Sequence, residues 1–121
     1  MHILLADDQL HVRSALRLLL EQVSAFQVVG ETADATGLLR AVAGKKPDVL
    51  LLDWELPGLP MTQLLRLLGS EQPSLKIIAM SSRPEVRLEA QELGVRAFLS
   101  KSDPPEEVLA VIQSCEEDTP I

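Results

Sequence analysis

The chain has 121 residues, 46% hydrophobic and 24% charged, and its 18 acidic and 11 basic side chains give a formal net charge of −7. This length suits one domain with a continuous apolar core, and an acidic chain with three aromatic residues is poorly suited to binding nucleic acid through phosphates or stacked bases. No apolar run exceeds five residues, far below the roughly 20 that a membrane-spanning helix needs, and no basic and apolar leader opens the chain, so neither membrane insertion nor secretion is expected.

Short apolar runs alternate with helical stretches along the chain. The first, third and fourth runs are wholly apolar, as in strands that are covered on both faces. The second and fifth contain polar residues, which edge strands tolerate. The predicted strands are therefore Ile3–Ala6, Phe26–Glu31, Val49–Leu52, Ile77–Met80 and Arg96–Ser100.

Apolar residues at helical spacing separate these strands. The first predicted helix covers Leu10–Ser24, and the others centre on Ala35–Val42, Met61–Leu68, Val86–Leu93 and Val108–Cys115. Gly44, Gly69 and Gly94 stand where three of these helices are predicted to stop. Asp103, followed by two prolines, is the predicted N-cap of the last helix.

Strict alternation of strands and helices predicts an α/β fold with right-handed crossovers. With the apolar strands in the centre, the expected architecture is a five-stranded parallel sheet in the order 2-1-3-4-5, doubly wound and flavodoxin-like, with five helices on both faces. Residues 1–121 are expected to form a single domain. From about residue 116 to residue 121 the apolar stripe is lost, which predicts a frayed helix end or the start of a linker.

Unusual polar residues follow four of the predicted strands. Asp7 and Asp8 follow the first, Asp53 the third, Ser81 the fourth and Lys101 the fifth. In this type of sheet, sites form beyond the carboxyl ends of the strands. Three carboxylates at one place repel each other unless a cation compensates, and Mg²⁺ is bound in proteins by one or two carboxylates and water. A Mg²⁺ site is therefore predicted.

The same side chains suit a phosphate-bearing ligand. Lys101 would neutralise one phosphoryl oxygen and the Ser81 hydroxyl would donate a hydrogen bond to another. No histidine, cysteine or glycine-rich phosphate loop is available at this edge as the nucleophile or cradle, so a carboxylate is the expected nucleophile. Asp53 is the best candidate because it ends the central strand and faces the other acids.

Four segments together resemble the receiver domain of bacterial two-component response regulators. They are Leu4–Gln9, Leu51–Gly58, Ile78–Ser82 and Phe98–Lys101. Lys101 is followed by Ser102 where many receivers have a cis-proline, and the prolines come at positions 104 and 105. That arrangement is similar to receivers of NarL-type regulators.

The resemblance implies specific roles for these residues. Asp53 is implied to accept a phosphoryl group from a sensor histidine kinase or a histidine phosphotransfer protein, and Asp7, Asp8, Asp53 and the main-chain carbonyl of Glu55 to hold Mg²⁺. Ser81 and Phe98 are implied to be the switch residues. Such receivers are not enzymes in the usual sense, although they catalyse their own phosphorylation and slow dephosphorylation.

Signalling is expected through the face formed by the fourth helix, the fifth strand and the fifth helix, towards a downstream protein or effector domain. Leu88 lies off its helix's apolar stripe and is predicted to join Phe98 in an exposed apolar patch there. Glu55 and Arg83 stand two residues beyond Asp53 and Ser81, respectively, which suggests a gate over the site.

Two alternatives stay open. One is that the chain is the N-terminal regulatory part of a longer DNA-binding transcription regulator rather than a stand-alone receiver. The other is that the fold serves as an unphosphorylated docking module. A phosphatase of the dehalogenase type is disfavoured, because the expected second aspartate two residues after Asp7 is absent. The single Cys115 fits a reducing compartment and so a cytoplasmic location.

Overall fold

The computed structural model describes residues 1–116, which form five strands and five helices. In chain order these are β1 (His2–Ala6), α1 (Leu10–Glu21), β2 (Gln27–Thr32), α2 (Ala35–Lys45), β3 (Val49–Asp53), α3 (Met61–Glu71), β4 (Lys76–Ser81), α4 (Arg87–Glu92), β5 (Ala97–Ser100) and α5 (Pro105–Glu116), with a 3₁₀ turn at Pro84–Val86 before α4. The predicted tail falls outside the described residues apart from Glu116, which is the last residue of α5.

The strands form one parallel sheet in the order β2-β1-β3-β4-β5, as predicted. The register pairs Ala6 with Leu52 and Asp53 with Met80, so the carboxyl ends of the three central strands lie side by side. The sheet therefore brings the residues that follow β1, β3 and β4 to a single edge.

Alternate residues of the central strands point to opposite faces of the sheet, and each face is covered by helices. Ile3, Leu5 and Leu51 pack in one cluster with residues of α1 and α5, including the buried Cys115. Leu4 and Leu52 pack in a second cluster with residues of α2 and α3. Burial of each such side chain stabilises the fold by about 1.5–3 kcal/mol, so these two layers hold the sheet edge in place.

Two of the predicted helix ends are wrong. Helix α2 continues through Gly44 to Lys45, and α3 continues through Gly69 to Glu71. A glycine inside a helix costs only roughly 1 kcal/mol and does not by itself end the helix. The stop after α2 comes instead from Lys46, which is left-handed with φ 47°, and is followed by Pro47. Gly94, with φ 89°, does follow α4 as predicted.

Other boundaries differ by a few residues. Helix α1 ends at Glu21 rather than Ser24. The carboxylate of Asp103, the predicted N-cap of the last helix, accepts a hydrogen bond from the backbone N–H of Ser100 at 2.9 Å, and the helix begins two residues later at Pro105. Among the described residues, no helix has both the length and the apolar character needed to span a bilayer.

Candidate functional site

Four elements deliver polar side chains to the carboxyl edge of the sheet. Asp7 follows β1, Asp53 ends β3, Ser81 ends β4 and Lys101 follows β5. Asp7, Asp53 and Ser81 are three of the four buried polar or charged residues in the described part of the chain, the fourth being Thr32. The structure therefore brings together the acids, the hydroxyl and the amine that the sequence singled out.

Asp7, Asp8 and Asp53 form a cluster of carboxylates, with one oxygen from each lying within 4.8 Å of the others. Asp8 is exposed, whereas Asp7 and Asp53 are not. The Nζ of Lys101 lies 2.8 Å from Asp7 Oδ2 and 3.3 Å from Asp53 Oδ1, so one ammonium offsets part of the charge of two buried acids.

The two oxygens of Asp53 have different surroundings. Oδ1 accepts a hydrogen bond from the backbone N–H of Glu55 at 3.0 Å. Oδ2 is buried and has no hydrogen-bond partner within residues 1–116. Burial, together with the negative charge of Asp7, raises the pKa of Asp53 above its usual value, although the Glu55 N–H and Lys101 oppose the rise.

Lys101 shows the complementary effect. Burial alone would lower the pKa of its ammonium, but the hydrogen bond to Asp7 and the charges of Asp53 and Asp7 outweigh it and raise that pKa. Gln9 Oε1 is also 3.5 Å from Nζ. The amine is therefore held charged beside the cluster.

The residues present fit a hard divalent cation such as Mg²⁺. All the donors are carboxylate oxygens, the ligand type that Mg²⁺ prefers. The Oδ2 of Asp53, which has no hydrogen-bond partner among residues 1–116, is a buried acceptor that such an ion would satisfy. Without such an ion, the single positive charge of Lys101 faces the three carboxylates of the cluster.

Ser81 takes part in a hydrogen-bond network that the sequence did not reveal. Its hydroxyl donates to Glu55 Oε1 at 3.0 Å and accepts from the backbone N–H of Arg83 at 3.0 Å. Arg83 Nη2 donates to Glu55 Oε2 at 3.0 Å. Glu55 and Arg83 are thus in contact, as the gate hypothesis requires, and the Glu55 side chain also engages the hydroxyl.

Phe98 does not join an exposed patch, so that part of the sequence prediction is wrong. Its ring is buried in a small cluster with Trp54 and Ala79, and the Arg87 guanidinium lies 4.7 Å from the ring centroid. The ring also packs against Val86 and against Ala90 of α4. Leu88 is 65% exposed, as predicted.

Arg13 is a functional candidate that the sequence pattern missed. It lies outside the apolar stripe of α1, which predicts a solvated side chain. In the structure only 15% of the side chain is exposed, and Nη1 donates to the main-chain carbonyl of Asp7 at 2.6 Å. Its position one turn into the helix after the Asp7–Asp8 pair is the only sequence signal of this contact.

Known proteins resemble the chain in sequence. The model of the family described as the response regulator receiver domain matches residues 3–113. The response regulator UvrY of Escherichia coli O6:H1 is 30% identical over 115 residues, which cover 93% of this chain and 53% of UvrY. Protein-glutamate methylesterase/protein-glutamine glutaminase 1 of Cereibacter sphaeroides is 34% identical over 103 residues, 82% of this chain and 28% of that protein. The chain thus spans about half the length of UvrY.

Solved structures share the fold. The isolated receiver domain of RcsB from Salmonella enterica serovar Typhimurium, in the presence of phosphomimetic BeF₃⁻, superposes with a TM-score of 0.89 at 25% identity, covering 100% of this chain and 91% of that one. The signal receiver domain of NarL from Mycobacterium tuberculosis gives a TM-score of 0.86 at 24% identity, covering 98% and 97%. The second similarity concerns the fold alone.

Proposed function

This chain belongs to the response regulator receiver domain family, and we propose that it accepts a phosphoryl group on Asp53 from a sensor histidine kinase or a histidine phosphotransfer protein. The observation that carries the proposal is the setting of Asp53. Its Oδ2 is buried without a hydrogen-bond partner in the described chain, beside a second buried carboxylate and a lysine. Such a carboxylate suits a nucleophile better than a structural acid.

Asp7, Asp8, Asp53 and the main-chain carbonyl of Glu55 would hold Mg²⁺. When bound, the ion would neutralise charge on the transferred phosphoryl group. One oxygen from each of the three acids already lies within 4.8 Å of the others, which supports this ligand set.

In the transfer, an Asp53 oxygen forms a bond to phosphorus as the bond from phosphorus to the donor's histidine nitrogen breaks, and that nitrogen keeps the electron pair. Lys101 would pair with one phosphoryl oxygen, since its Nζ is 3.3 Å from Asp53 Oδ1. The Ser81 hydroxyl would donate to another. The chain would thus promote its own phosphorylation and slow dephosphorylation without acting as an enzyme on a separate substrate.

Ser81 and Phe98 are the proposed switch residues, acting on the face formed by α4, β5 and α5. Movement of the Ser81 hydroxyl towards the phosphoryl group would break its bond to Glu55 and disturb the neighbouring packing. Because the Phe98 ring is already buried, we expect its shift to be small and to act through Arg87 and α4. A shift of α4 would then move the exposed side chain of Leu88 at the surface.

Glu55 and Arg83 would form a gate over the site. Their side chains pair at 3.0 Å and are partly exposed, directly above the buried Ser81. Such a pair limits the approach of water to a phosphoryl group on Asp53. The gate is therefore proposed to set the lifetime of the aspartyl phosphate.

The proposed partners are a phosphodonor protein and a downstream protein or effector domain, in the cytoplasm, without direct contact of this chain with nucleic acid or membrane. Residues 1–121 would form a single receiver domain. A place at the front of a longer DNA-binding regulator is the second candidate, favoured by the 53% coverage of UvrY and by the RcsB structures solved with promoter DNA.

The test is incubation with Mg²⁺ and acetyl phosphate, followed by intact mass measurement. The wild-type protein should gain the mass of one phosphoryl group, and Asp53→Asn should gain none. If neither protein gains mass, the chain is an unphosphorylated docking module. If Asp53→Asn gains as much as the wild type, another residue is the acceptor.

A further inference from the structure

Arg13 connects the edge strand of the sheet to the loop that carries two of the three clustered acids. Its Nε lies 3.0 Å from Glu31 Oε1 on β2, and its Nη1 donates to the main-chain carbonyl of Asp7 at 2.6 Å. Glu31 is held in turn by Arg17, whose Nε is 2.6 Å from Oε2. The guanidinium is therefore fixed at both ends, and it contacts the Asp7 backbone rather than its carboxylate.

The loop needs such support because β1 ends at Ala6, just before the acids. The Asp7 N–H donates to Thr32 O at 3.0 Å, and Asp7 Oδ1 accepts from the Gln9 N–H at 2.9 Å. Asp8 is exposed. The direction of the Asp7 peptide therefore sets where the Asp8 carboxylate stands relative to Asp7 and Asp53.

We propose that Arg13 is a positioning residue for the carboxylate cluster, holding the Asp7 peptide so that Asp7 and Asp8 face Asp53 as a ready-made site for a divalent cation. This inference rests on the proposed function, in which the cluster binds Mg²⁺. The planar guanidinium can reach Glu31 and the carbonyl together, which a lysine ammonium cannot do with the same fixed geometry.

The sign of the effect separates positioning from simple charge. Arg13 is a cation near a cation site, so if it acted only through its charge, its removal would tighten metal binding. If it positions the loop, its removal weakens binding. Changes to residues that orient metal ligands typically weaken metal affinity by about 10- to 100-fold.

The experiment measures the affinity of the whole chain for Mn²⁺, an oxygen-preferring stand-in, through the electron paramagnetic resonance signal of the free ion, with Mg²⁺ added as competitor. Arg13→Met should weaken binding about tenfold. Arg17→Met is the matched control, because it removes the same charge and the other partner of Glu31 but does not contact Asp7. It should bind as the wild type does. Free energies of unfolding, measured in chelator, show whether both variants are folded.

Arg13→Lys keeps the charge and provides a second test if Arg13→Met folds poorly. Positioning predicts weaker Mn²⁺ binding in this variant too. Wild-type affinity in Arg13→Lys, or tighter binding in Arg13→Met, would overturn the inference and leave the proposed function intact. If the wild-type chain binds neither Mn²⁺ nor Mg²⁺, the proposed metal site fails and this inference fails with it.

Discussion

The Ser81 hydroxyl donates a hydrogen bond of 3.0 Å to the Glu55 carboxylate, so the hydroxyl proposed to bind a phosphoryl oxygen already has an anionic acceptor. Arg83 holds that carboxylate from the other side at 3.0 Å. A phosphoryl group on Asp53 would therefore compete with Glu55 for the same donor. The Glu55 side chain therefore links the proposed gate, which it forms with Arg83, to the proposed switch residue Ser81.

Reversal of charge at Arg83 should shorten the life of the aspartyl phosphate. In Arg83→Glu the side chain repels Glu55, both acids turn to solvent, and water reaches the phosphoryl group more easily. We expect the decay to accelerate roughly two- to fivefold, a size in keeping with one exposed ion pair. Decay of the phosphorylated species is followed by intact mass after removal of acetyl phosphate.

Arg40→Glu is the control for this change, because it makes the same change in net charge at an exposed position of α2. Its decay should match that of the wild type. An unchanged lifetime in Arg83→Glu would remove the gate.

Asp53→Asn should stabilise the protein in the absence of divalent ions. Burial and the nearby Asp7 raise the pKa of Asp53, so folding disfavours its charged form, and at neutral pH that form lowers stability. The amide removes this penalty, and we expect a gain of about 1 kcal/mol, the size commonly found when one unfavourable position is relieved. Urea denaturation in chelator measures it.

In the presence of Mg²⁺ the wild type should instead be the more stable protein, because the ion stabilises the folded wild type by binding it and binds the variant less well. Asp48→Asn is the control, with the same charge change at the opposite end of β3, and it should not gain stability in this way. If Asp53→Asn were less stable than the wild type in chelator, the charge of buried Asp53 would not be lowering the stability of the fold.

The interaction of Glu31 with Arg17 and Arg13 should make stability depend on pH. The hydrogen bond from Arg17, the largest cause, lowers the pKa of Glu31 below 4.5, with a further contribution from Arg13. A lowered carboxyl pKa contributes stability that is present above the unfolded pKa and is lost as pH falls through the folded pKa. Glu31→Gln should therefore cost roughly 1 kcal/mol at neutral pH and progressively less as the pH falls through the lowered pKa of Glu31.

The measurement is urea denaturation of both proteins across this range. Glu21→Gln serves as the control, because Glu21 is more exposed and its contact with Arg17 Nη1 is longer, at 3.4 Å. A Glu31→Gln difference that stays constant with pH would show that packing rather than charge accounts for the loss.

The sheet, and the placement of the polar residues at one of its edges, could be predicted from sequence because both follow from the periodic pattern of apolar residues. Runs such as Val49–Leu52 are apolar on every residue, which places them in the centre of a parallel sheet, and strand order then fixes which carboxyl ends are neighbours. Asp7, Asp53, Ser81 and Lys101 followed from that order. Their roles in phosphoryl transfer stay predictions.

What the sequence did not reveal depends on side-chain direction. Arg13 lies on the polar side of α1, and nothing in a 3.6-residue period distinguishes a solvated arginine from one that turns back to a loop carbonyl. Phe98 was predicted to join Leu88 in an exposed patch, but an edge strand such as β5 still has a covered face, and the Phe98 ring is buried there. Gly44 suggested a helix end, but the stop is set by Lys46 and Pro47, beyond it.

Two glycines give a paired test of these backbone arguments. Gly58 has φ 119°, and a Cβ there would lie 3.0 Å from the Cβ of Ala35, whose N–H donates to Pro57 O at 2.9 Å. Gly58→Ala should therefore destabilise the fold by about 1–3 kcal/mol, the cost of a strained backbone position. Gly44 is helical with open space where its Cβ would be, so Gly44→Ala should stabilise by roughly 0.5–1 kcal/mol. The measurement is thermal unfolding of both variants and of the wild type. A Gly58→Ala variant as stable as the wild type would mean that the loop after Asp53 relaxes more easily than its contact with α2 implies.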